Sequence, residues 1–475
     1  MANEVKKVID LSELLTAYGT YTLKAVATAD GYEDSDPVTV PFMFGPRIAV
    51  KGGVLTITKC LDSVTQFEIY IDGEVVATVD YDHSDDWSLD LSTLKNDDEK
   101  HSIAVRAVGE GISTEHMSNT VTAYVTAESS IYGVSGMYSS TVALTRTDDA
   151  VGMSYTINSD GSINSDFDNA FPWNRTELVT DEFGNEFVEF PTMYFRVGID
   201  SSKRITDIAV SGIEHEDGTW YKVDPFRFGR YAAYNNNGVM LSQRGYTRNT
   251  ATRANWRTYA TANGDGYQQL DLYHHTVLLF LWWIEWATKD SASVMTGCIS
   301  GKGTTGGTST MPCGGTDNVA TPSGYELTRH QMRYHYIEDF VGNGVFFVDG
   351  IYRLGYGSTI YDYATADPSK FAYCESSSYA SYLKKLGFPN PTSNSNQTIA
   401  AFGWDVNNPF LCGPTTTVTN SSYNTYFCDR DYHYSGGPCL YVGAVAANSY
   451  ANYGVSYCYS YSSSSAAGGR LLYIP

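Results

Sequence analysis

A stretch near the start of the chain recurs about 80 residues later. Ile9-Asp10-Leu11-Ser12 returns as Leu89-Asp90-Leu91-Ser92. Tyr21-Thr22-Leu23-Lys24-Ala25-Val26-Ala27 returns as His101-Ser102-Ile103-Ala104-Val105-Arg106-Ala107, and Gly31 returns as Gly111. A repeat of this length matches one small β-sandwich domain. The second copy reads as strands throughout: Val54 to Ile57, Phe67 to Ile71, Glu74 to Val79, Trp87 to Leu91, Ile103 to Val108 and Val121 to Val125. Apolar residues alternate along them, and Asp72-Gly73 is a tight-turn signal. The first copy starts only at the matching late strands. Residues 1–45 are therefore expected to be a truncated repeat, with the chain beginning part-way through a domain and Met1-Ala2 left from expression. The alternative is that residues 1–45 pair onto the second copy.

The pattern over residues 46–127 resembles the immunoglobulin-like or fibronectin III-like repeats that space out adhesins and phage tail proteins. From about residue 128 charge thins, and Gly, Ser, Thr, Asn and aromatics rise. Pro172-Trp173 and Phe190 to Val197 read as strands, with a turn at Asp181 to Asn185. Leu270 to Thr288 has helical apolar spacing through Leu272, Val277, Leu278, Leu281, Ile284 and Ala287. Gly297 to Ser323 reads as a long loop.

Composition narrows function by exclusion. The formal net charge of −22 argues against gripping nucleic acid phosphates or an anionic membrane, which needs clustered Lys and Arg. The apolar run Thr276 to Ala287 is too short to insert into a bilayer and is interrupted by Glu285. Met1 to Leu15 lacks the apolar stretch and small-residue cleavage site of a signal peptide. The eight cysteines are scattered without a C-x-x-C pair, so zinc-finger and thioredoxin-like chemistry find no support. No G-x-S-x-G, H-E-x-x-H or P-loop motif occurs. The candidate acid–base residues are Glu285, Glu338, Asp339, Asp349 and the pair His274-His275. They read more simply as a buried helix anchor, a turn and a helix-end pair facing solvent or loop. No catalytic residue, metal site or cofactor is assigned, and the expectation is a protein that is not an enzyme.

Two segments carry a more specific signal. Met332 to Gly350 resembles the R-x-I-E-N-x-x-G-N-x-W-E-F-V-D-G stretch of C-type lectin-fold proteins related to formylglycine-generating enzymes, with Asp339 at the Asn position and Phe346-Phe347 at Trp-Glu. Trp282 to Thr288 is similar to the long helix of the same group. At the chain's end, Asp431-Tyr432-His433-Tyr434, Leu440-Tyr441-Val442-Gly443, Gly454, Ser462 to Ser465 and Gly468-Gly469-Arg470-Leu471 follow one another. This order resembles the variable regions of diversity-generating retroelement target proteins. The resemblance covers about residues 150–475.

The resemblance implies an N-terminal Ig-like or fibronectin III-like β-sandwich followed by an α+β C-type lectin-fold domain over residues 128–475, with a variable region at about 429–475. Many relatives are phage or prophage tail adhesins of gut bacteria, in which a reverse transcriptase rewrites adenine-bearing codons. The ligand-binding positions implied here are Ala444, Ala446, Ala447, Asn448, Tyr450, Asn452, Tyr453, Tyr457, Tyr459 and Tyr461. The implied partner is a bacterial cell-surface protein or glycan, the place a virion tail or bacterial cell exterior, and a homotrimer is plausible for a tail tip. The alternatives are a fixed-specificity carbohydrate-binding module and an oxidase of the formylglycine-generating type.

The residues point the same way without a family. The chain has 38 Tyr against 20 Phe. Tyr offers large contact area with few rotors to freeze, and Ser, Gly and Asn offer adaptable hydrogen bonds, the mixture found in paratopes. Tyr457, Tyr459 and Tyr461 alternate with small residues, so a strand there places them on one face. Leu471 to Ile474 reads as a closing core strand, with Arg470 holding it by charge-assisted bonds.

Overall fold

The computed structural model describes residues 19–25, 38–44, 46–51, 53–58, 61–83, 87–95, 100–110, 112, 117–125, 127–158, 162–294, 312–316, 332–340, 345–356, 359–391, 397–419, 426–427, 430–432, 439–442, 458–461 and 467–475. The chain divides into two units, Met1–Ser130 and Ile131–Pro475. Both are rich in strands. No helix among the described residues is long and apolar enough to cross a membrane.

In the first unit two antiparallel sheets share one core. One sheet orders Arg47–Lys51, Val54–Thr58 and Ser88–Asp90. The other orders Glu74–Asp80, Val64–Ile71, Lys100–Gly109 and Val121–Tyr124. The period-two pattern explains the packing. Val64, Phe67, Ile69 and Ile71 are buried, and they meet Leu55, Ile103 and Val105 in the core. Asp72 and Gly73 both have positive φ, 53° and 86°, as the tightest hairpin turn demands. Asp72 reinforces that turn by accepting from the Ser102 amide at 3.0 Å and pairing with His101 Nδ1 at 2.7 Å. Gly19–Ala25 and Val38–Phe44 form a separate antiparallel hairpin, Gly19 opposite Phe44.

In the second unit three larger sheets surround a helix, α2, over Leu272–Trp286. Another helix, α1, precedes it at Arg253–Thr261. Helix α2 is apolar on every side, and its residues are buried apart from Tyr273, as a helix without a polar face must be. Asp271 caps its start, accepting from the His274 amide at 2.8 Å. The guanidinium of Arg146 closes its end by donating to the carbonyls of Ile284 and Glu285 at 2.7 and 2.6 Å. One five-stranded sheet orders Glu177–Thr180, Glu186–Phe190, Phe226–Gly229, Leu471–Tyr473 and Tyr267–Gln269, so the last strand of the chain lies inside it. A second orders Thr145–Asp148, Tyr132–Ser135, Ile205–Ser211, Met193–Ile199 and Trp220–Val223. A six-stranded sheet orders Phe346–Val348, Cys439–Val442, Cys458–Tyr461, Arg430–Tyr432, Gln397–Gly403 and Gly413–Val418.

Two sequence expectations are corrected. Pro172-Trp173 is not a strand: Trp173–Arg175 is a short 3-10 turn, and a proline without an N–H is a poor ladder residue. His274 and His275 do not face solvent. Both are buried, because helix α2 has no solvent-facing side on which to place them. The loop expected at Gly297 to Ser323 lies outside the described residues except for 312–316.

Candidate functional site

The tail supplies three strands of the six-stranded sheet and one strand of a five-stranded sheet in the second unit. Cys439–Val442 sits between Phe346–Val348 and Cys458–Tyr461, with Phe347 opposite Tyr441 and Leu440 opposite Ser460. Cys458–Tyr461 is paired on its other edge, in parallel, with Arg430–Tyr432. Both strands that flank residues 443–457 are therefore interior strands of one sheet. Cys439, Leu440 and Val442 are buried. Arg353, itself buried, ties this sheet to a neighbouring hairpin by donating to Asp431 at 2.9 Å and Asp362 at 3.1 Å.

The end of the chain is held more firmly still. Arg470 donates to the backbone carbonyls of Gly229, Arg230, Glu338 and Asp339 at 2.8, 3.2, 2.8 and 3.0 Å. Trp256 of helix α1 donates from Nε1 to the carbonyl of Ala467 at 2.8 Å. A Cβ on Gly469 would stand 2.7 Å from the Trp256 ring and 2.8 Å from the Met240 methyl, so only glycine fits this approach. Leu471 and Leu472 have no exposed surface.

Of the ten tail positions implied for ligand binding, Ala444, Ala446, Ala447, Asn448, Tyr450, Asn452, Tyr453 and Tyr457 lie outside the described residues. Tyr459 and Tyr461 belong to the strand Cys458–Tyr461. Tyr459 registers with Tyr441 and Tyr432, and Tyr461 with Cys439.

The carboxylates and histidines weighed as acid–base residues are dispersed. Glu338 is a structural acceptor for the Gly314 and Thr316 amides at 2.9 and 3.0 Å. Asp349 is buried in a two-pronged pair with Arg257 at 2.7 and 2.8 Å. Burial raises its carboxyl pKa, with the Arg257 charge opposing. Asp339 is buried beneath Arg470. His274 Nδ1 pairs with Asp271 at 2.8 Å. Burial drives His275 down to about 3. Cys439 is a buried thiol pushed up to about 11 by that burial, which makes it a poor nucleophile.

Glu285 is different because it is one of the residues around a cleft of about 440 Å3. His335 Nε2 lies 2.8 Å from Glu285 Oε2, and His335 Nδ1 lies 3.8 Å from Asp168 Oδ1. Asp168 comes from a 3-10 turn, Asp166–Asn169, fixed by a reciprocal cap with Ser165. Glu285 comes from the last turn of α2. His335 sits at the tip of the hairpin Arg333–Tyr334 and Ile337–Glu338 with φ of 49°. Burial disfavours a charged His335 ring, but the Glu285 carboxylate outweighs it and raises the pKa. Asp168 is raised by burial, opposed by His335. The Tyr334 phenol beside them is pushed well up by burial and then by the Glu285 charge. The sequence reading named Glu285 but neither Asp168 nor His335. The three stand on separate segments, and no spacing signal links them.

No family model matches this chain, and no curated protein matches it.

Proposed function

We propose that the chain is a ligand-recognition protein whose binding surface is built from residues 444–461, on an α+β scaffold of the C-type lectin kind behind immunoglobulin-like repeats. The observation that carries this reading is the frame around that segment. The described residues on its two sides are neighbouring interior strands of one sheet, Cys439–Val442 and Cys458–Tyr461. The residues after it are locked by Arg470. Pairing of the two flanking strands is made by their own backbones, so sequence change between them is compatible with the same sheet. The segment's content of Tyr, Ser, Asn and Ala suits contact with varied partners. Placing the last strand inside a sheet beside Tyr267–Gln269 and Phe226–Gly229, and burying one long helix against the sheets, also fits a lectin-type scaffold.

On this reading the partner is a protein or glycan on a bacterial cell, met from a phage tail or another exterior surface. The segment's codons are rewritten by a retroelement. The test is panning of purified protein against bacterial cells beside a variant carrying Tyr450→Ala and Tyr453→Ala. Cell capture by the parent and its loss in the variant support the reading; equal capture by both overturns it. Diversification has its own test in the encoding DNA. A near-copy of the tail-coding segment differing at adenines, beside a reverse transcriptase gene, is expected, and its absence removes that part while leaving the binding claim standing.

A further inference from the structure

The cleft that holds Asp168, Glu285 and His335 is lined by no described residue of the tail. One imidazole nitrogen and one oxygen from each carboxylate lie within 4.8 Å of one another. Such a cluster alone is often only an ion-pair network. Two further atoms set this one apart. Glu285 has no exposed surface, yet its Oε1 has no hydrogen-bond partner among the described residues. Trp286, 4% exposed, leaves its Nε1–H without a partner as well. Both residues line the cleft. Buried polar atoms are nearly always paired, so an unpaired acceptor and an unpaired donor on two residues that line one cleft call for an occupant.

We propose that Asp168, Glu285 and His335 bind a first-row divalent cation of the Zn2+ class, leaving a coordination position open to the cleft. The donor chemistry selects the ion. Imidazole with two carboxylates suits borderline cations, whereas Ca2+ wants six to eight oxygens. Zinc bonds to such ligands are about 2.0–2.2 Å long, so tetrahedral donors stand about 3.3–3.5 Å apart. His335 Nε2 and Glu285 Oε2, now 2.8 Å apart, need to separate by about half an ångström for an ion bound through that nitrogen. Asp168, whose side chain is about half exposed, reaches the ion by giving up its long 3.4 Å cap bond from the Ser165 amide. Three protein ligands leave the fourth position for water or a ligand oxygen, as in open zinc sites.

Positioning of the ligands is built into the fold. Arg146 fixes the last turn of α2 beneath Glu285. The positive φ of His335 turns the tip of its hairpin and sets the ring against Glu285.

The test uses the full chain without an affinity tag, stripped of metal by chelation and titrated with Zn2+, Co2+ and Ca2+ in a calorimeter. One saturable Zn2+ site per chain is expected, with no comparable Ca2+ binding. Affinity should fall at least tenfold in His335→Ala and in Asp168→Asn. Asp168→Asn lies on a surface turn and keeps the measurement usable if a change at the buried Glu285 prevents folding. The Co2+-loaded protein should show visible bands without the near-ultraviolet absorption of thiolate ligands. Absence of saturable Zn2+ binding, binding unchanged in both variants, or a thiolate spectrum each overturns the proposal.

Discussion

Arg470 Nη2 donates to the backbone carbonyl of Glu338 at 2.8 Å, joining the last strand of the chain to the hairpin that carries His335. The same guanidinium serves Gly229, Arg230 and Asp339. Burial lowers its pKa to about 10, so it remains charged at neutral pH. Arg470→Met leaves four carbonyls to find other partners inside the protein. Breaking such a buried charged network costs about 3–5 kcal/mol. Denaturant titration followed by tryptophan fluorescence should show that drop. A change below about 1 kcal/mol would mean that the clamp matters little to stability.

Asp349 and Arg257 form a second buried pair, beside Glu375 and Arg253. Glu375 reaches Arg257 at 3.2 Å and Arg253 at 2.6 Å. Asp349→Asn leaves Arg257 with one acceptor fewer in a site it cannot leave. The expected loss is about 3 kcal/mol. The double variant Asp349→Asn with Arg257→Met should lose less than the two single losses added together, since both remove one interaction. Additive losses in the denaturant midpoints would show that the pair is not coupled.

Legibility in the sequence followed how local each signal was. Val64–Ile71 and Glu74–Asp80 announce themselves by alternation around Asp72-Gly73, because turn chemistry and burial pattern are both written within a few residues. Helix α2 is equally plain, as an apolar run of helical length. Helix α1 is not. In Arg253-Ala254-Asn255-Trp256-Arg257-Thr258-Tyr259-Ala260-Thr261 the buried face is Arg253, Trp256 and Ala260, and an arginine inside a protein reads as surface until its carboxylate partner, Glu375, is known to be there. The cleft is invisible for a related reason. His335 and Glu285 are 50 residues apart, Asp168 lies on a third segment, and only the folded chain brings them together. Arg470 was legible as an anchor because it stands between two glycines and an apolar closing strand.

If residues 443–457 are a contact surface, changes there should separate binding from stability. Tyr450→Ala and Tyr453→Ala should each weaken capture of a bound partner by about 1–3 kcal/mol, roughly 5- to 150-fold. The unfolding midpoint should move by less than about 0.5 kcal/mol. Leu472→Ala, in the buried closing strand, should do the reverse and cost about 2–5 kcal/mol of stability. Thermal denaturation run beside the binding assay reads both. Tyrosine variants that destabilise as much as Leu472→Ala would place those rings in the core and remove them from the binding surface.

His275 supplies the pH dependence. Its ring is buried in α2 with neither nitrogen hydrogen-bonded among the described residues, near Phe340. Burial lowers its pKa from 6.5 to about 3, against a small opposing pull from Asp271. Between those values the unfolded chain holds a proton that the folded chain does not. Acidification therefore favours unfolding: the stability present above pH 6.5 is lost as pH falls from there toward 3. The slope approaches about 1.4 kcal/mol per pH unit at its steepest. His275→Leu removes both the titration and two unpaired polar atoms. It should raise stability at pH 7 by about 1 kcal/mol and flatten the decline between pH 6.5 and 4 relative to the parent. Denaturant midpoints measured across that range compare the two proteins directly, and parallel curves would show that His275 does not drive the acid limb.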